Sequence, residues 1–165
     1  MEVVGRADVR PGPGAAARLD AIDEAILDEL SRDGRIPNSL LAERVGVAPS
    51  TSLARVRALR ARGVIRGFRA DVSPEARGLA LQAIVAVQLG PDARTDIRRF
   101  AHGVIGLPGV QQVFYVGGSA DFLVHVAFPG TAELRDFVSD HLSADPSVAH
   151  TETSIVFEHL GYAPA

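Results

Sequence analysis

Seven arginines and no acidic residue lie between Arg44 and Ala70, in the stretch "RVGVAPSTSLARVRALRARGVIRGFRA", although the 165-residue chain carries a formal net charge of −3. Guanidinium groups do two related pieces of chemistry: they grip phosphate oxygens, and they bridge O6 and N7 of guanine. Arg55 and Arg57 are the candidates for such contacts, with Ser50, Thr51 and Ser52 near the same helix start and Arg44, Arg62, Arg66 and Arg69 adding positive field. The plainer alternative is a solvated helix face. Against it, seven like charges repel one another unless a partner neutralises them. A second stretch, "GGSAD" from Gly117 to Asp121, offers different chemistry. Gly117 and Gly118 permit close backbone approach, free amides as far as Ser119 suit a carboxylate, and Asp121 suits an ammonium group. Taken by themselves these residues favour an ordinary hairpin in which Asp121 satisfies turn amides.

Other chemistry is sparse. The five histidines, His102, His125, His141, His150 and His159, have no paired metal-ligand spacing, so structural or surface roles are expected and no metal site. No Ser-His-Asp order, phosphate-binding loop or dinucleotide glycine motif occurs, and no catalytic residue is assigned. An enzyme would need Asp121 with a nearby histidine as its acid-base pair. There is no cysteine, which excludes disulfides and thiolate metal sites, and no apolar run approaches the roughly 18 residues that span a membrane. With 47% hydrophobic residues the chain can fill a core. Residues 1–17 read as a flexible tail rather than a signal peptide, and the cytoplasm is the expected location. The charge divides unevenly: residues 1–70 sum to +3 and residues 71–165 to −6. That asymmetry suggests that one half meets a polyanion while the other has a separate task.

The elements that must position these residues follow from periodicity. "LDAIDEAILDELSRDGR" places Leu19, Ile22, Ile26 and Leu30 on one helical face, with Asp20 and Asp23 near the start to cap free amides and Asp33-Gly34 as the stop. A short second helix is predicted from about Asn38 to Val45, ending at Gly46, and a third from about Pro49 to Arg62, ending at Gly63. Its apolar stripe, Leu53, Val56 and Leu59, makes Val56 the buried centre. Thr51, Ala54, Arg55, Ala58 and Arg62 then face outward, with Arg57 on the flank and Arg60 near the buried stripe. "VIRGFRADV" reads as a short hairpin or wing running into a connecting strand. Beyond Pro74 the order becomes β-α-β-β-α-β, the pattern of a ferredoxin-like sheet with both helices on one face. Phe122, Val124, Val126 and Phe128 have strand period and belong to the core or an interface. The other face of an open sheet needs a cover, and a second copy of the domain is the simplest one. The expected fold is therefore α+β: tail 1–17, winged helix-turn-helix domain 18–67, linker strand 68–78, and a ferredoxin-like βαββαβ effector and oligomerisation domain 79–165.

From "LDAIDEAILDELSRDGRI" through "LLAERVGVAPSTSLARVRALRARGVIRGFRADVSP" to "VGGSADFLVHV" and "PSVAHTETSIVF", the chain resembles the Lrp/AsnC (feast/famine) transcription regulators. The resemblance rests on "LDxxDxxIL", "DGRI", Arg55, Leu59 and Gly63-Val64-Ile65 in step, and the "GxxD" of Gly118 to Asp121, in that order. It implies an N-terminal domain that binds double-stranded DNA, and a C-terminal domain that assembles dimers further, into a tetramer or octamer, and binds a small effector, usually an amino acid. It also turns the reading of Gly117, Gly118, Ser119 and Asp121 toward a ligand loop. No cofactor is implied. Four positions depart from the common pattern. Ala48 stands where Ser often starts the recognition helix, a cap worth about 0.5–2 kcal/mol unless Ser50 replaces it. Arg60 replaces a common Glu, Ala54 a common basic residue, and Ala120 a bulkier one. The expected function is sequence-specific transcriptional regulation with a small effector; the alternative is a metabolite sensor or protein-interaction module without specific DNA binding.

Overall fold

Asp20 begins the first helix as the sequence leads one to expect. Its Oδ1 accepts a 2.8 Å hydrogen bond from the Asp23 amide, and α1 runs over Ala21–Arg32 with Asp33 as its C-cap. The computed structural model describes residues 18–93 and 97–159. The tail expected over 1–17, the start of "TDIRRFAHGVIGL" at Thr95 and Asp96, and everything after His159 lie outside the described residues. What is described falls into two compact units that meet in sequence at Asp71 and Val72.

In the first unit α2 spans Asn38–Arg44 and α3 spans Pro49–Ala61, with Pro49 in the first turn. Both end on a left-handed glycine, Gly46 at φ 70° and Gly63 at φ 73°. After α3 the Gly63 amide donates to the Arg60 carbonyl (3.0 Å) and the Val64 amide to the Leu59 carbonyl (2.9 Å), which satisfies carbonyls that the helix end leaves open. Ile26, Leu41 and Leu59, each at most 2% exposed, form the core with Ile36. Burying side chains of this size is worth about 1.5–3 kcal/mol each.

Three expectations for this unit need correction. Leu53 is 39% exposed, and the inward edge of α3 is instead Ser52 and Leu59, both 0% exposed, with Val56 half-buried. The helix is thus rotated by about 50° from the expected setting at 100° per residue. Arg60, expected near the buried stripe, is exposed. No strand ladder forms over the expected wing at 64–72 or over the linker at 68–78, where the only regular element is a 3-10 turn, Glu75–Arg77. Extended backbone becomes a strand only when a neighbour takes its amides and carbonyls, and among the described residues nothing pairs here.

The second unit has the expected order: β1 Leu81–Leu89, α4 Ile97–Ile105, β2 Val110–Tyr115, β3 Phe122–Phe128, α5 Thr131–Phe137 and β4 Val148–Val156. The antiparallel sheet has strand order β2-β3-β1-β4. Ala83, Val85, Val87 and Leu89 of β1 and Phe122, Val124 and Val126 of β3 pack against Phe100 and Val104 of α4 and Leu134 and Phe137 of α5. The apolar stripe of β3 is therefore core. Immediately after α5 the helix widens into π-helical turns, Val138–Ser143, which still bury Leu142. On the opposite face, cross-strand partners align Phe114, Leu123 and Ala86 in one row and His125, Ile84 and Ser154 in the next. Ile84 and Phe114 are 37% and 45% exposed there.

Candidate DNA-contact face and effector loop

The arginine-rich stretch has no acid of its own, yet three of its arginines find carboxylates on α1. Arg44 Nη1 lies 2.6 Å from Glu29 Oε2. Arg55 Nη1 donates to Asp20 Oδ2 at 2.7 Å and to Asp23 Oδ1 at 2.8 Å. Arg62 donates to the Arg18 carbonyl at 2.9 Å and stands 3.7 Å from Asp23 Oδ2. These neighbours have electrostatic consequences. Asp20 is held below its ordinary pKa, first by the Asp23 amide and then by Arg55. Glu29 is lowered chiefly by Arg44, and both arginines are raised in turn. The partner acids are 15 to 39 residues away in sequence, so neither local spacing nor a helical wheel of α3 discloses them.

This changes the roles open to the predicted contact residues. Ser52 is fully buried, its hydroxyl without a hydrogen-bond partner, and it cannot reach a ligand outside the domain. Arg55 points toward α1 rather than away from the domain. Arg44 and Arg62 are exposed but ion-paired. Ser50, Thr51 and Arg57 are exposed, and Arg57 has no described partner. With Ser52 and Leu59 facing in, the outward centre of α3 is Ser50, Ala54, Arg57 and Ala61, spaced four, three and four apart. That face carries one projecting cation among short side chains, which lets a helix approach a polyanion closely.

In the second unit the β2–β3 connection is closed by the Val116 amide donating to the Asp121 carbonyl at 2.9 Å. Asp121 does not extend from the loop as a free ammonium acceptor. Its Oδ2 takes a 2.8 Å hydrogen bond from the Leu89 amide, and its own amide donates to the Val87 carbonyl. The carboxylate ties the loop to the end of β1, a variant of the plainer hairpin reading with a strand amide in place of a turn amide. Gly117, Gly118 and Ser119 are exposed, and none of their amides donates to a described backbone carbonyl. Gly118 has φ 145°, a conformation that side chains disfavour. Sequence reading missed a cleft of about 800 Å³ between α4 and the segment leading to β4, where Arg99, Asp140 and Asp145 surround Phe100, Val104 and Leu107. Its residues come from α4, from the Val138–Ser143 turns and from the connections around them, which carry no shared motif. No group of three potential metal ligands occurs among the described residues.

Comparison with known proteins fits this division. Residues 19–66 match the winged helix-turn-helix DNA-binding model, and residues 82–164 match the Lrp/AsnC ligand binding domain. The chain is 51% identical over 145 residues to the HTH-type transcriptional regulator AldR of Mycolicibacterium smegmatis, covering 88% of this chain and 85% of that protein. It belongs to the Lrp/AsnC family. As an Lrp/AsnC protein it is a DNA-binding transcriptional regulator with a ligand-binding domain, not an enzyme. It is also 39% identical over 142 residues to the leucine-responsive regulatory protein of Rhizobium meliloti, covering 86% of this chain and 91% of that protein. Among solved structures, MtbAldR superposes with a TM-score of 0.75 at 44% identity, over 88% of this chain and 100% of that one. A transcriptional regulator from Neisseria meningitidis, solved as its L-methionine complex, superposes at 0.78 with 32% identity, over 88% and 94% of the two chains. No helix among the described residues is long and apolar enough to cross a membrane.

Proposed function

We propose that this Lrp/AsnC regulator works in the cytoplasm as an assembly of dimers, reads DNA with the Ser50, Thr51 and Arg57 side of α3, and changes its binding when an amino acid occupies the second unit. The observation that carries the DNA reading is the outward face of α3, where Arg57 projects from a row of Ser50, Ala54 and Ala61. A helix with such a face fits a major groove, in which an arginine bridges guanine or grips phosphate. The apolar rows through Phe114, Leu123 and Ile84 favour a second copy as cover for the open sheet face. Two-fold pairing would then present two α3 helices to half-sites about one helical turn apart or a multiple of it.

Support for an amino-acid effector comes from the amides of Gly117 to Ser119 and from the L-methionine complex of the Neisseria relative. Linkage of this kind typically changes affinity by about 1–3 kcal/mol. The test is selection from a random duplex library with and without each amino acid. A two-fold motif whose enrichment responds to one of them is the expected outcome; salt-sensitive binding without a motif would remove the groove reading. Amide chemical-shift changes on adding that amino acid then locate it. Shifts at residues 117–119 support the loop, and shifts confined to Arg99, Asp140 and Asp145 move the effector to the cleft.

A further inference from the structure

Resting on that groove reading, we propose that Arg55 and Arg62 are positioning residues for DNA recognition, which set the rotation and tilt of α3 through the first turn of α1 so that Arg57 faces the groove. Apolar burial alone fixes this rotation weakly. Leu59 is the one fully buried apolar side chain on α3, Val56 is half-buried and Leu53 is 39% exposed. Burial is non-directional, so Leu59 with the half-buried Val56 limits the roll of the helix less sharply than a directed contact does. Charge-assisted hydrogen bonds from a planar guanidinium are directional, and α3 makes them at two points.

The first point is Arg55. One nitrogen reaches both Asp20 and Asp23, at 2.7 and 2.8 Å, and its side chain is 29% exposed. Asp20 serves two helices at once, because Oδ1 caps α1 through the Asp23 amide while Oδ2 binds Arg55. The second point is Arg62, seven residues on and so about 10 Å along the axis. It holds the Arg18 carbonyl and approaches the other oxygen of Asp23, whose side chain is only 9% exposed. The two arginines leave α3 two turns apart and converge on Asp23, and Arg62 adds its hold on the Arg18 carbonyl, so that roll and tilt are both restrained. Since Arg55 already touches two carboxylates, its charge is not available to displace counterions from DNA.

The decisive variant is Asp20→Asn, measured as affinity against salt concentration on the selected duplex and on shuffled duplexes. Asn caps helices about as well as Asp, so α1 keeps its start while Arg55 loses one ionic partner. Positioning predicts weaker specific binding, by roughly tenfold, even though the protein has become more positive. Unchanged binding would mean that the Asp20 contact does not position α3, and tighter binding with a steeper salt slope that the released cation meets DNA; either result overturns the proposal. In the companion variants, Arg57→Ala flattens the slope of log K against log salt by about 0.9 if it grips a phosphate, or relaxes one base position if it reads guanine. Arg55→Ala lowers affinity with the slope intact; a slope loss of about 0.9 for Arg55→Ala also overturns the proposal. Helix content by circular dichroism separates these outcomes from unfolding, and should Arg55→Ala fail to fold, Asp20→Asn decides alone. Failure of the wild type to select any motif would remove the groove reading itself, a result distinct from all of these.

Discussion

Arg55 and Arg57 are separated by two positions, about 200° of helix, and that rotation sends one guanidinium into carboxylates and the other outward. A cation becomes structural or functional by what its direction offers. Asp121 follows the same logic. In the "GxxD" pattern it looks like a ligand group, but its Oδ2 receives the Leu89 amide, and Leu89 is only 2% exposed. Asp121→Ala leaves that buried amide without this acceptor and should cost about 1–3 kcal/mol, read as a lower urea midpoint. Asp121→Asn keeps an oxygen acceptor and should recover most of the loss. If Asp121→Asn is stable yet loses its response to the amino acid, the charge serves the ligand as well as the fold.

At the scale of elements, the helix-turn-helix is defined by how its helices begin and end. α2 and α3 both stop on left-handed glycines, and the amides of each glycine and of the residue after it donate to carbonyls that the last turn leaves open. The start of α3 is less complete. Ala48 has the extended N-cap backbone, φ −66° and ψ 146°, but no side chain to accept an amide, and Ser50 does not substitute for one. Ala48→Ser should therefore add about 0.5–2 kcal/mol, visible as a raised thermal midpoint, because the backbone geometry a cap needs is already present. In the second unit, a four-stranded sheet with two helices on one side leaves rows of Phe114, Leu123, Ile84 and His125 on the other. Among the described residues the first unit's core cluster is smaller, with four buried apolar residues against the twelve in the cluster of the sheet unit. Ionic links between α1 and α3 therefore carry a larger share of its specificity.

For the whole molecule, the two units should answer acid differently. His125, half-buried on the open sheet face, has its pKa lowered first by desolvation and then by the neighbouring His159. The folded state thus favours neutral imidazole, and the unfolded chain binds more protons. Its contribution is present above the ordinary value of 6.5 and is lost as pH falls through the depressed folded value. Asp20 and Glu29 are also lowered, so the helical unit keeps their contribution above their ordinary values of 3.8 and 4.5 and loses it in stronger acid. Urea midpoints for amides of the two units between pH 7.5 and 3 should fall in that order, and His125→Gln should remove the early phase. Assembly gives a second prediction at this scale. Ile84→Glu places a charge in the middle of the open sheet face, and sedimentation velocity should show a smaller species than the wild type while the sheet remains folded.

The sequence by itself determined what depends on near neighbours. Helical periodicity marked α1 to α3, Asp20 and the glycines marked their ends, and alternating runs with Gly and Pro between them ordered the βαββαβ unit. Short-range geometry repeats every 2 or 3.6 residues, and those periods are written directly in the chain. Only the tertiary structure decided the rotation of α3, the pairing of Arg55 with Asp20 and Asp23 across 32 to 35 residues, and the use of Asp121 to hold the end of β1. Those facts belong to surfaces brought together by packing. A charge carries no mark of which distant partner will neutralise it, so its role is settled only when the helices that bear both partners meet.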